Sequence, residues 1–209
     1  MTRYRALGVA AALAVGIVAA GLIRGSQAQL LEAGTATNAI GTLVVVRSDG
    51  IEDRLRGKGA VRLFDEDVLK TDPGSQAVIE LKEGVTVALN ENTVAKLLSR
   101  WEKTRGFTRI VRVKEGEVWV KTGEGPKAFE VETPVATAIV KETEFNMKVH
   151  PDGQSVLTVV QGIVEFGTAF GTCPIRTGTV SYGVRGKRCT RPEATDVNAA
   201  LGWSRRILQ

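Results

Sequence analysis

The sequence predicts an all-β fold, an antiparallel sandwich or an irregular β-solenoid of many short strands, closed by a short C-terminal helix. Three observations predict it. Thr143, Phe145, Met147 and Val149 alternate with Glu144, Asn146 and Lys148, the period of two that leaves one face of an extended segment apolar. Turn signals recur roughly every eight to twelve residues, and no amphipathic helical period separates them before the C-terminal tail.

Taken in order, Thr42–Arg47 is a β-branched run that ends at Ser48-Asp49-Gly50 and returns at Ile51. Gly57-Lys58-Gly59 interrupts the chain before Val61–Phe64. Asp72-Pro73-Gly74-Ser75 turns into Ala77–Leu81, and Lys82-Glu83-Gly84 folds back into Val85–Leu89. Asn90-Glu91-Asn92 precedes the apolar run Val94–Leu98, and Ser99–Gly106 reads as a charged loop carrying Trp101. Phe107–Val113 turns at Glu115-Gly116 into Glu117–Lys121. Val135–Val140 is apolar or small on both faces, which suits a strand covered on both sides. Pro151-Asp152-Gly153 supplies the next turn, because proline presets its φ and glycine accepts a positive one. Glu83-Gly84, Glu115-Gly116 and Gln161-Gly162 each precede apolar alternation, a weak internal repetition with uneven spacing.

With 209 residues, 43% apolar and 24% charged, the chain is sized for one globular domain with a small appendage. Its formal charge of +5 is unevenly spread. Residues 1–28 hold three arginines and no acid, residues 29–175 hold 18 basic and 21 acidic residues, and residues 176–209 hold 7 and 2. Arg3 and Arg5 precede an uncharged run, Ala6–Ile23, followed by Ser26-Gln27-Ala28. Those are the parts of a secretory signal peptide cut after Ala28. At ~1.5 Å per residue the run can also just cross a bilayer core of roughly 30 Å, so residues 1–28 are a signal peptide or an uncleaved membrane anchor. Either places the rest outside the cytoplasm, periplasmic or otherwise extracytoplasmic.

The tail holds the only cysteines, Cys173 and Cys189. In an exported chain they are expected to form a disulfide, worth about 3 kcal/mol on the chain-entropy model. Ile175–Tyr182 and Val184–Lys187 are expected to make a last hairpin. A helix over Val197–Leu208, capped by Thr195 or Asp196, would present Val197, Ala200, Leu201, Ser204 and Leu208 on one stripe. Trp203 would dock it on the β core.

The chemical inventory is thin. His150 is the only histidine, so neither a histidine-based triad nor a multi-histidine metal site can be built. No phosphate loop or zinc spacing occurs. No cofactor is implied, and no nucleic acid partner is expected of an exported chain. Glu130, Glu132, Glu142 and Glu144 could supply a pair of carboxylates for hydrolysis. Against that, Glu130 and Glu132 oppose Phe129 and Val131 on one strand, as a solvated face does. Asp65-Glu66-Asp67 lacks the spaced oxygen ligands of a calcium loop. Arg185, Lys187, Arg188 and Arg191 cluster around Cys189, either a solvated face or a contact for an anionic envelope polymer or lipid headgroup.

Several segments together resemble the FecR-like domain family. They are Asp67–Thr71 with Gly74-Ser75-Gln76-Ala77, Ile79, Leu81 and Gly84; Lys114–Val120; Phe129-x-Val-x-Thr-Pro134; Thr143-Glu-Phe145; and Val159-x-Gln-Gly-x-Val164. The likeness covers residues 39–166, leaving residues 167–209 as a disulfide-containing basic tail. One position departs: where the family places glycine before Thr-Glu-Phe, this chain has Glu142, which lets the local backbone differ.

The resemblance implies a non-catalytic sensing, regulatory or scaffolding module that works through protein contacts. In the iron-uptake regulators that share the domain it also implies a cytoplasmic arm that handles a sigma factor. Only five residues precede the apolar run here, so a direct anti-sigma role is not expected. Contacts are expected at exposed strand edges or loops. The preferred candidate is Trp101 with Arg100, Lys103 and Arg105, since Trp and Arg are enriched at binding hot spots. A cell-wall or polysaccharide-binding protein is the alternative, and a carboxylate-dependent hydrolase a weaker one.

Overall fold

The structure, a computed structural model, describes residues 31–104, 106–123 and 128–209. The expected signal peptide or anchor at 1–28 and Arg105 lie outside the described residues. The fold is all-β. Two long strands organise it: β1 (Glu32–Val46) and β7 (Gly106–Thr122). The others are β2 (Glu52–Phe64), β3 (Val68–Thr71), β4 (Gln76–Leu81), β5 (Val85–Leu89), β6 (Val94–Glu102), β8 (Ala128–Glu132), β9 (Ala136–Val140), β10 (Glu144–Val149), β11 (Ser155–Gln161), β12 (Ile163–Thr168), β13 (Gly171–Arg176), β14 (Thr179–Gly183) and the short β15 (Glu193–Ala194).

Each long strand changes neighbours part-way. β1 pairs with β4 up to Ile40 and with β3 from Leu43. β7 pairs with β6 as far as Glu115, then with β10 from Gly116 and β5 from Val118. A glycine with positive φ stands at each changeover, Gly41 at +70° and Gly116 at +98°. Any side chain there would collide with the turn passing beneath: an added Cβ would lie 2.4 Å from Ser75 Oγ in one case and 2.4 Å from Thr93 Cα in the other. Glycine is therefore required at both bends on conformational and steric grounds alike.

These changeovers sort the strands into two layers. One runs through the second half of β1, β3, β6, the first half of β7, β8, β9, β12 and β13. The other runs through the first half of β1, β4, β5, the second half of β7, β10, β11, β14 and β15. Strands β1, β4, β5, β7, β6 and β3 close into a ring of six. Leu69, Leu97, Val111, Val131 and Phe166 of the first layer join Ile79, Val87, Val120, Phe145 and Leu157 of the second in one continuous buried core. Among the described residues every pairing is antiparallel except β7 with β8. The architecture is thus the antiparallel sandwich of the two expected forms, with one parallel pair.

The C-terminal segment forms a third layer on the outer face of the second sheet. Ile207 packs with Val78, Ala88 and Trp119, and Ile40, Leu201 and Trp203 complete the cluster. Trp203 docks the segment as expected, but the helix is shorter than its period suggests. Asp196 Oδ1 accepts the Asn198 N–H (2.9 Å) and caps α1 (Val197–Leu201); Gly202 ends it and a 3₁₀ turn follows at Ser204–Arg206. The tighter turn advances the register, so Ile207 is buried and the expected Leu208 is 38% exposed.

Two further expectations are corrected. Ser99–Glu102 is strand, not loop, so β6 and β7 form a hairpin reaching beyond the core. Residues 175–187 do not form a hairpin. Thr177-Gly178 carries the chain from one layer to the other, where β14 pairs with β11, and Val184–Lys187 is a turn. Strand β13 thereby extends the first layer beyond β12, and β14 extends the second beyond β11.

The sandwich has two ends. Glu32 enters at one, beside the turns at 82–84, 122–123, 142–143 and 161–162, which are linked by Gly123 N–H to Gly84 O (2.9 Å) and Thr122 N–H to Thr143 O (3.0 Å). The tip of the β6–β7 hairpin lies at this entry end. The far end carries the turns at 73–75, 90–92, 150–153, 168–171 and 184–188. Glu142, at the entry end, has φ +50°. It thus adopts the left-handed conformation that glycine favours although it carries a side chain.

Candidate functional site

At the entry end the β6–β7 hairpin presents Trp101, which is 75% exposed. Trp101 and its cross-strand partner Phe107 continue the pairs Leu97–Val111 and Ser99–Arg109. They hold the inward-facing phase of their strands beyond the point where the core ends, so an apolar tip stands in solvent.

The base of that tip is clamped by charge. Arg109, 1% exposed, donates to Asp65 Oδ1 and to Glu83 Oε1 (3.3 Å), and its guanidinium lies 5.0 Å from the centre of the Phe107 ring. Ser99 Oγ donates to the other oxygen of Asp65. One buried cation therefore ties β7 to the β2–β3 connection and the β4–β5 turn, directly behind Phe107. The signal for Arg109 is present in the sequence, a charge in phase with Phe107, Val111 and Val113, and the alternation alone gives it no role.

Of the residues expected beside Trp101, Lys103 is exposed in the turn, and Arg105 is outside the described residues. Arg100 points to the opposite face. It donates to Glu132 Oε1 (2.7 Å) and Glu130 Oε2 (3.3 Å), and Arg112 donates to Glu132 Oε2 (2.7 Å). The structure therefore places Trp101 and Arg100 on different sides of one strand. The same ladder corrects the expectation of a solvated Glu130–Glu132 face. Glu130 is 4% exposed, because parallel pairing lays β8 against β7 and lets Arg100 reach across from β6.

The other carboxylates are dispersed. Glu144 accepts the indole N–H of Trp119 (3.0 Å). Asp65, Glu66 and Asp67 are directed at three different cations, Arg109, Lys96 and Arg47. Among the described residues no group of three or more His, Cys, Asp or Glu is placed to hold a metal ion. Asp67 is fully buried; Oδ2 accepts the Phe64 N–H (2.8 Å) and the Arg47 guanidinium, while Oδ1 has no partner. Burial raises its pKa above the ordinary aspartate value, against the opposing pull of Phe64 N–H and Arg47.

At the far end a disulfide joins Cys173 to Cys189. It fastens the basic segment to the β12–β13 turn, with Arg185, Lys187, Arg188 and Arg191 all exposed. Nearby, a shallow cleft of about 540 Å³ is lined by Asn90, Glu117, Lys148 and the half-buried His150. Beside it, a closed set of hydrogen bonds holds Trp203. Its indole N–H donates to Asn146, Asn146 and Asn90 both donate to Glu117, and Gln76 donates to Asn90 and to Trp203 O.

The strand edges are guarded. β13 carries Pro174, which has no N–H, and Arg188 occupies the Thr172 carbonyl (2.9 Å). β2 exposes Arg54, Lys58 and Arg62 and has shifted register. Proline, charge and irregularity are the usual protections against strand addition.

The FecR protein family model matches residues 67–165. This stretch is similar to FecR domains. It contains Trp101 and Arg109, whereas β1, β2 and the basic segment of 185–191 lie outside the match. Two crystal structures from Parabacteroides distasonis ATCC 8503, each described as a candidate anti-sigma factor, share the fold. One has a TM-score of 0.55 at 20% identity over 66% of this chain and 64% of that one. The other has 0.57 at 19% over 66% and 63%. The likeness thus spans less than two thirds of those chains, and at this identity it concerns the fold. No curated protein matches the chain. Among the described residues no helix is long and apolar enough to cross a membrane.

Proposed function

We propose that the chain is an extracytoplasmic regulatory module without catalytic activity, which relays a signal through protein contacts at the tip of its β6–β7 hairpin. The FecR domain and the fold shared with proteins described as anti-sigma factors support a regulatory role. The Arg3–Ala28 pattern supports export. The observation that carries the contact site is Trp101: an indole 75% exposed, held on a strand pair whose base is fixed by Arg109. A large side chain carried on a paired strand can be covered by a partner without a loop having first to be ordered.

A photoreactive residue placed at 101 in the native envelope is expected to give one discrete protein adduct. Trp101→Ala is expected to weaken capture of that partner by at least about tenfold, since hot-spot truncations reach 2 kcal/mol or more. The fold should be unaffected, because the side chain contributes little to the core. Undiminished capture by Trp101→Ala would remove the hairpin from the proposal.

A further inference from the structure

The far end carries an exposed aromatic that the regulatory reading does not use. Phe170, 60% exposed, caps the turn between β12 and β13. The basic segment is built against that turn. Thr168 Oγ donates to Lys187 O (2.9 Å), Arg188 Nη2 donates to Thr172 O (2.9 Å), and the Cys173–Cys189 disulfide closes the arrangement. Gly171 has φ +139°, and a Cβ there would meet Arg188 Nε at 3.0 Å, so the arm of Arg188 lies directly over the turn. Arg185 leans toward the neighbouring turn at Gly153.

No acid occurs between Gly167 and Pro192. Among the described residues Arg185, Lys187 and Arg188 form no ion pair; the adjoining 150–153 turn contributes one carboxylate, Asp152, which accepts the Gln154 N–H (2.9 Å). The product is a protruding phenyl ring framed by exposed, uncompensated cations on a covalently fixed support.

We propose that this end docks on an anionic phospholipid surface, with Phe170 entering the headgroup–acyl boundary and Arg185, Lys187 and Arg188 meeting lipid phosphates. Charge complementarity alone would serve any polyanion. The exposed phenyl ring favours the membrane, because a bilayer also takes the ring out of water. A single side chain and a few cations make the contact reversible, in keeping with the marginal strength of one-signal membrane association.

The test uses the full chain, as wild type and as Phe170→Trp, mixed with vesicles of phosphatidylcholine alone or with phosphatidylglycerol, the lipids brominated in their acyl chains. Subtracting the wild-type signal removes the other three tryptophans. Phe170→Trp is expected to show added quenching with phosphatidylglycerol vesicles and little with phosphatidylcholine. Each cation near an anionic leaflet raises association about fivefold, so changing Arg185, Lys187 and Arg188 to Gln together should lower it by roughly 100-fold. High salt should act in the same direction. Unfolding midpoints matched to wild type would confirm that the variants fold. No added quenching in a folded Phe170→Trp chain overturns the proposal. So does retention by a soluble polyanion or an acidic protein without quenching, which would assign the patch to that ligand instead.

Discussion

The two ends of the sandwich both hold an aromatic side chain in solvent, Trp101 at one and Phe170 at the other, yet they differ in what surrounds it. At the entry end, Arg109 and Arg100 are tied into carboxylates of the same domain. At the far end, Arg185, Lys187 and Arg188 have no acidic partner among the described residues. A cation neutralised internally fixes the local shape and offers little long-range attraction; one left unpaired keeps its field for a ligand. The entry end is therefore suited to recognition by shape, and the far end to attraction by charge. The FecR match includes the first and stops short of the second.

The comparison can be tested at each end by stability measurements. The largest effect is expected at Arg109. Arg109→Met leaves Asp65 and Glu83 without their buried cation, and removing one partner of such a cluster costs about 3–5 kcal/mol. Urea unfolding should show that loss, whereas Trp101→Ala, two positions outward on the facing strand, should stay within about 0.5 kcal/mol of wild type. Equal effects would mean that clamp and tip are not separable.

The far end should depend on its disulfide. Replacing Cys173 and Cys189 by serine is expected to cost about 3 kcal/mol and to raise amide exchange in residues 184–191 while leaving the β6–β7 hairpin protected. Exchange rising equally at both ends would break the distinction.

Asp67 adds a pH dependence near the entry end. Its carboxyl titrates in the folded chain above the ordinary value of 3.8, so the folded state keeps the proton to a higher pH than the unfolded chain. The stability it contributes is fully present below 3.8 and is lost as pH rises through the folded value. Asp67→Asn should flatten the stability profile in that interval; an unchanged profile would assign the titration elsewhere.

The smallest expected effect is at Glu142. Glycine at a left-handed position removes a Cβ penalty of about 1–2 kcal/mol and restores unfolded-state freedom of about 0.5–1 kcal/mol. Glu142→Gly should therefore stabilise by up to about 1 kcal/mol in thermal unfolding. Destabilisation would show that the Glu142 side chain is held by contacts of its own.

Much of the fold is legible because strand alternation and glycine turns are local. Phe145, Met147 and Val149 are buried as their period requires. Gly84, Gly116 and Gly162, which look like a weak repeat, share positive φ; they mark turns and a bend rather than repeating units. What the sequence does not disclose is non-local. The bends at Gly41 and Gly116 are required by the turns at Ser75 and Thr93 passing beneath them, which no window around either glycine contains. The parallel approach of β8 buries Glu130, and the 3₁₀ turn exchanges Leu208 for Ile207, through contacts with strands far away in sequence. Trp101 is recognisable from composition alone. Phe170 is not, because only the disulfide-bonded packing of two turns sets it among the arginines.

If the two ends bind by different physics, salt titration of both binding activities in the same chains separates them. Capture of the partner crosslinked through position 101 and association with phosphatidylglycerol vesicles would be measured for wild type, Trp101→Ala and the Arg185, Lys187 and Arg188 triple glutamine variant between low and 0.5 M salt. Salt above physiological strength shortens the screening length below about 8 Å. Trp101→Ala is expected to weaken protein capture alone, a capture with weak salt dependence, and the triple variant to weaken vesicle association alone, an association with steep salt dependence. Loss of both activities in either variant, or identical salt slopes for the two, would contradict this expectation.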